Sequence, residues 1–153
     1  HLNRTISLYQ ENQLAHWRSK GILQGVTEPA PANALWDDTS ASLNHRARSY
    51  LDINCGHCHN PAGAADTSGL LLDYEDHPRT AMGYCKPPIA AGKGSGGRLY
   101  SIVPGHPEAS ILSFRLETNN PAMMMPELGR SLVHSEGVKL VSSWIAQLEG
   151  ECI

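Results

Sequence analysis

Residues 54–63 read "NCGHCHNPAG", placing Cys55, His57, Cys58 and His59 within five positions. Three chemistries use such a cluster: dithiol exchange, zinc binding and covalent haem attachment. Each asks something different of the rest of the chain.

Dithiol exchange in thioredoxin-like sites puts the Cys-x-x-Cys pair after a buried strand, at the start of a helix. Here the preceding "LNHRARSYLDIN" reads as an amphipathic helix carrying Arg46 and Arg48, and nothing upstream supplies a βαβ unit. Structural zinc wants four ligands, usually as two close pairs. The remaining cysteines, Cys85 and Cys152, are far apart in the chain. Haem attachment needs Cys-x-x-Cys-His, and residues 55–59 supply it in full. Residues three apart on a helical turn face the same way. Both thiols can then reach the two vinyl groups on one porphyrin edge, with His59 held beneath the iron as proximal ligand. His57 is expected to point away into solvent.

The other face of a haem iron takes a second ligand or stays open. "NNPAMMMPELG" offers Met123, Met124 and Met125 between Pro121 and Pro126. Methionine is also a core filler, but three in a row cannot all point inward. Met125, next to Pro126, is the expected distal ligand, with Met124 the second choice. Met ligation raises the reduction potential and favours electron transfer. Bis-histidine ligation through His106 or His134 is the alternative.

Several elements must position these groups. "TISLYQENQLAHWRSK" (5–20) reads as a helix with Ile6, Tyr9, Leu14 and Trp17 on its buried side and Gly21 as its stop. A Pro-rich connector follows, anchored by Trp36. A helix with Leu43, Ala47, Tyr50 and Leu51 at helical spacing, capped by Ser40 or Ser42, runs into the cysteine cluster. Residues 61–105 are rich in Gly and Pro and show little periodicity. Within them "KPPIAAGKGSGGR" is a loop. It fails the P-loop pattern, since Gly94 follows Lys93 where Ser or Thr is required. "HPEASILSFRLET" reads as helical, with Pro107 in its first turn. A last helix carries Val138, Val141, Trp144, Ile145 and Leu148 as one apolar stripe, with Ser135 as its cap and Gly150 at its end. No strand alternation stands out.

The bulk numbers fit this picture. A chain of 153 residues suits one domain with an extension. A hydrophobic content of 41% is that of a globular protein. A net charge of −3 argues against nucleic acid as the main partner. No apolar run is long enough to span a bilayer. The opening "HLNRTISLYQ" lacks the apolar run of a signal peptide, so a leader was removed or the chain is a piece of a larger protein.

Cys-x-x-Cys-His after a helix, a later "MMMPELG" and a C-terminal helix with "SSWIAQL" resemble class I cytochrome c. The longer string from "RARSYLDINCGHCHNPAGAADTSGLLLD" through "CKPPIAAGKGSGG" and "IVPGHPEASIL" to "MMMPELGRSLVHSEGVKLVSSWI" resembles the C-terminal haem module of a poorly characterised family of bacterial secreted cytochromes. Some of its members are described as diheme. With one Cys-x-x-Cys-His here, a second haem would lie outside this chain. The resemblance implies an all-α, cytochrome c-like domain over residues 39–153 around one covalent haem c, with residues 1–38 as an extension packed on it. It implies an electron carrier rather than an enzyme, periplasmic or secreted, working with redox partner proteins and without a membrane span. A peroxidase-like or gas-binding haem, or a redox-sensing module of a larger protein, is the alternative.

Haem attachment would consume Cys55 and Cys58, leaving one pairing, Cys85 with Cys152. Covalent haem is assembled outside the bacterial cytoplasm, where disulfides also persist. The bridge is therefore expected, against two buried free thiols. Arg98, Lys93 and Arg130 are candidates to meet haem propionates or simply solvent. His59 is expected to donate its second ring N–H to a backbone carbonyl after the motif.

Overall fold

The computed structural model describes residues 2–8, 10–25 and 30–153. In chain order come β1 (Thr5–Ile6), β2 (Glu11–Asn12), α1 (Gln13–Ser19), α2 (Leu43–Leu51), α3 (Ile111–Glu117) and α4 (Ser135–Ala146). A π-helical turn (Asp52–Gly56) continues α2, and short 3-10 turns occur at Asp66–Ser68, Gly92–Ser95 and Pro107–Ala109.

The all-α expectation is overturned. The described residues form a small mixed fold, about a third helical, with an antiparallel two-stranded sheet pairing Thr5 with Asn12 and Ile6 with Glu11. The single helix expected over residues 5–20 is instead this hairpin followed by α1. The reason is local. Gln10 turns back at φ 56°. The Asn12 side chain then accepts from the Leu14 and Ala15 amides, so the helix begins only at Gln13. No residue of α1 is buried. Ile6, Leu14 and Trp17 are half-buried, and Tyr9 lies outside the described residues. Two isolated parallel bridges, Tyr84 to Ile102 and Tyr100 to Ser110, add further extended pairing in the Gly- and Pro-rich half of the chain.

The core is built by α2, α3 and α4. Ala47 and Leu51 on α2 pack with Leu112 and Leu116 on α3 and with Leu140, Val141, Trp144 and Ile145 on α4. Burying a side chain of this size is worth about 1.5–3 kcal/mol relative to leaving it exposed, so these residues fix how the three helices meet. Of the stripe read from α4, Val141, Trp144 and Ile145 are buried and Val138 and Leu148 partly so; Leu140, outside that stripe, is buried as well, and the helix ends at Ala146, before Leu148 and Gly150. Trp144 satisfies its indole N–H at the Asn44 side-chain oxygen, 2.9 Å away on α2. Of the two candidate caps, Ser42 caps α2 by accepting from the His45 amide. On α4 the cap position is His134, not Ser135, whose hydroxyl donates to Glu136 instead. The helix expected from Pro107 onward is interrupted at Ser110, which takes extended backbone where the Ile111 amide turns to the Tyr100 carbonyl at 3.0 Å. Ile102 and Leu72 bring the irregular middle segment into the same core.

The connector lies along α2. The Ala34 amide donates to Ser49 Oγ, and the Asn33 amide group donates to Asp52. Arg46 reaches the Trp36 carbonyl, and the Trp36 ring meets the His134 ring edge-on at 5.2 Å between centroids.

Cys85 and Cys152 form a disulfide, closing a separation of 67 residues. No helix among the described residues is long and apolar enough to cross a membrane.

Candidate functional site

A π-helical turn over Asp52–Gly56 continues α2, and a turn at residues 57–58 leads on to His59. The Cys58 and His59 amides both donate to the Cys55 carbonyl, at 3.0 and 2.9 Å. Cys55 and Cys58 are free thiols, in contrast to the disulfide-bonded pair. Cys55 is buried in the core cluster, and burial pushes its thiol up to about 12, with the neighbouring Cys58 thiol adding to the rise. Cys58 is half-buried and His57 exposed.

The segment after the motif braces it. The Leu72 amide donates to the His59 carbonyl at 2.8 Å. His59 Nδ1 lies 3.2 Å from the Leu70 carbonyl oxygen and 3.3 Å from Ser68 Oγ. This close wrap explains the small residue between the cysteines. A Cβ on Gly56 would come within 2.9 Å of the Asp73 Cα. Burial lowers the His59 pKa below the ordinary imidazole value. The Leu70 carbonyl opposes that shift, and the charges of Arg115 and His57 add to it. The imidazole is thereby kept neutral, the form that ligates a metal.

The methionines sit on the segment between α3 and α4. The Met123 and Met124 amides donate to the Asn120 carbonyl, and the Met125 amide donates to the Arg115 carbonyl. Met125 lines a cleft of about 290 Å³ together with Tyr50, Asn54, Leu116, Arg130 and His134. Met124 is not on its wall. Of the two alternative histidines, His134 borders this cleft, 3.1 Å from the Tyr50 hydroxyl. His106 borders a separate open cleft of about 640 Å³ beside Cys152, where it faces Glu108 at 3.1 Å.

The three basic side chains named for propionates are placed differently. Arg130 is committed to backbone carbonyls, and Arg98 stacks on Phe114 at 4.5 Å and donates to the Glu108 carbonyl. Lys93 is exposed in the Gly92–Ser95 turn. Sequence reading missed Arg115, half-buried near enough to His59 to depress its pKa and bonded through Nε to the Met123 carbonyl. An arginine inside an amphipathic helix carries no sequence signal for such a position.

The donor set matches a covalent haem. Two free thiols lie within one turn, and the imidazole has its Nδ1 side engaged and, among the described residues, no hydrogen-bond partner at Nε2. A thioether lies on the adjoining cleft. The space is a tighter match. The cleft is at the lower bound for cofactor pockets, and Cys55, Cys58 and His59 are not on its wall. Asn54, one residue before Cys55, is where the cleft meets the motif. Porphyrin between His59 and Met125 therefore requires residues 120–133 to stand further from the motif than they do here. A zinc site fares worse, since Cys85 and Cys152 are spent on each other. Among the described residues, no three His, Cys, Asp or Glu side chains are grouped to hold a metal ion.

No family model matches the chain, and no curated protein or solved structure matches it significantly.

Proposed function

We propose that this protein carries one haem c, attached through Cys55 and Cys58 and ligated by His59 and Met125, and that it transfers electrons. The carrying observation is the arrangement of residues 55–59. Both cysteines lie within one turn, free of the disulfide that joins the other two, and the adjacent imidazole is braced through Nδ1 with Nε2 available. When bound, the group supplies one-electron exchange at iron. The chain's own residues do the rest. The Leu70 carbonyl orients His59, and Met125 offers a soft ligand that favours the ferrous state. The apolar side chains of Leu116 and Val138 on the cleft wall limit water there.

The disulfide supports an oxidising compartment, the periplasm or the exterior of a bacterial cell. Redox proteins of that compartment would be the partners. His134 stands on the same cleft as Met125, which makes it the second choice of distal ligand and leaves His106 without a role there.

The deciding measurement is an absorption spectrum of protein purified from a host with working cytochrome maturation, with and without dithionite. Sharp low-spin ferrous bands on reduction are expected. A colourless preparation with the bare polypeptide mass would end the haem reading, and a high-spin ferric spectrum would favour an open distal site and enzyme-like chemistry.

A further inference from the structure

Arg130 makes four hydrogen bonds with one guanidinium, the one from Nε reaching the Leu132 carbonyl at 3.2 Å. Nη1 donates to the Met125 carbonyl at 2.6 Å and to the Arg115 carbonyl at 3.1 Å, and Nη2 donates to the Thr118 carbonyl at 2.7 Å. The acceptors at Arg115 and Thr118 are at the C-terminal end of α3, where carbonyls run out of helical partners and a cation is favoured by the helix dipole. From the other side, Arg115 Nε donates to the Met123 carbonyl at 2.9 Å, and its own carbonyl accepts from the Met125 amide at 2.9 Å. The Met segment is therefore tied to α3 at both its carbonyls and its amide, by two side chains and one backbone bond.

We propose that Arg130, with Arg115, is a positioning clamp that ties the Met123–Met125 segment to α3 and thereby sets where the Met125 side chain stands at the cleft. The geometry is specific to Met125 among the three methionines. It alone is bonded through both its amide and its carbonyl in this network, and it alone lies on the cleft wall. A planar fork suits this task better than an ammonium, because one group must reach four carbonyls at fixed angles. The ligand role of Met125 rests on the function proposed above; the clamp does not.

The test uses the purified protein and its Arg130→Gln and Arg130→Lys variants. Backbone hydrogen exchange at Met125 reads the clamp directly, and the near-infrared sulfur-to-iron band with imidazole titration of the ferric form reads its consequence. Loss of charged hydrogen bonds should speed exchange at Met125 by about tenfold or more in Arg130→Gln. It should weaken the sulfur-to-iron band and raise imidazole affinity by about tenfold. Arg130→Lys should recover part of each change, which a general loss of folding would not. Unchanged exchange at Met125 in a folded Arg130→Gln protein would overturn the clamp. Faster exchange in a protein whose parent shows no sulfur-to-iron band would support the clamp and overturn Met ligation.

Discussion

The Nδ1 atom of His59 lies 3.2 Å from the carbonyl oxygen of Leu70. With the Leu72 amide on the His59 carbonyl, it fixes both the backbone and the ring of the residue that follows the second cysteine. A ring held through Nδ1–H must offer Nε2 as its lone-pair donor. If the motif carries haem as proposed, His59→Ala should keep the covalent haem mass, since both thioethers remain, but lose the low-spin ferric spectrum. Added imidazole should restore it. A variant with an unaltered spectrum would remove His59 from the iron.

Met125 and Met124 differ in one respect that matters here, since only Met125 lies on the cleft wall. If Met125 is the distal ligand proposed above, Met125→Ala should abolish the near-infrared sulfur-to-iron band and lower the reduction potential, as loss of a thioether ligand does. Met124→Ala should leave both in place. Should His134→Ala be the variant that changes the distal ligand, the coordination is bis-histidine and the methionines are packing groups.

What the sequence disclosed followed the strength of its local signals. The α4 stripe and the Ser42 cap were legible because a 3.6-residue period and a capping side chain act within a few residues. The cysteine pairing followed from assigning the other two to the motif. The hairpin before α1 was not legible, because apolar residues at 6, 14 and 17 match a helical face equally well. The interruption at Gln10 and the cap at Asn12 are what break that face. The irregular middle was invisible for a different reason: Ile102, Leu72 and Tyr84 enter the core from segments with no period, through single bridges and close glycine packing. The motif residues were found by type and spacing alone. A backbone carbonyl after the motif was expected to brace His59, but that it is Leu70, and that Arg130 clamps Met125, is set by irregular backbone that has no period to read.

The two free thiols should differ sharply in the chain without haem. Burial holds Cys55 near 12, so at pH 8 only on the order of one molecule in ten thousand presents it as the reactive thiolate. Alkylation followed by mass spectrometry should therefore mark Cys58 well before Cys55. The Cys55 rate should climb about tenfold per pH unit while the fold persists, because its folded pKa lies above the whole working range. Equal labelling of the two at pH 8 would show that Cys55 is not buried in the free chain.

Gly137 faces Tyr50 where α4 crosses α2. A Cβ there would stand 2.2 Å from the Tyr50 hydroxyl oxygen and 2.7 Å from His134 Nδ1. Tyr50 cannot step aside freely, since its ring stacks on His134 at 5.6 Å and its hydroxyl faces that ring's Nδ1. Gly137→Ala should destabilise the protein by about 1–3 kcal/mol through overpacking, despite the better helix propensity of alanine. Thermal unfolding monitored by circular dichroism reads this. Tyr50→Phe combined with Gly137→Ala should recover little of the loss, because the ring's Cζ would stand 2.3 Å from the new Cβ, almost as close as the hydroxyl oxygen. A Gly137→Ala protein as stable as its parent would mean that the helices part at this crossing without cost.

The Cys85–Cys152 bond spans 67 residues and ends next to the last residue of the chain. Two hydrogen bonds hold the same tail independently: Arg79 donates to the Glu149 carbonyl at 2.7 Å, and the Tyr100 hydroxyl donates to the Ile153 carbonyl at 3.0 Å. Breaking the disulfide therefore acts mainly on the unfolded chain, which regains the freedom that a closed loop denies it. For a loop of this length the entropic contribution is roughly 4 kcal/mol. Cys152→Ser should lower the unfolding free energy by an amount of that order, and the midpoint with it, while leaving the native near-ultraviolet circular dichroism largely intact. Reductant should lower the midpoint of the parent protein by a similar amount and have no effect on the variant. A parent protein whose intact mass and midpoint are both indifferent to reductant would show that Cys85 and Cys152 are thiols.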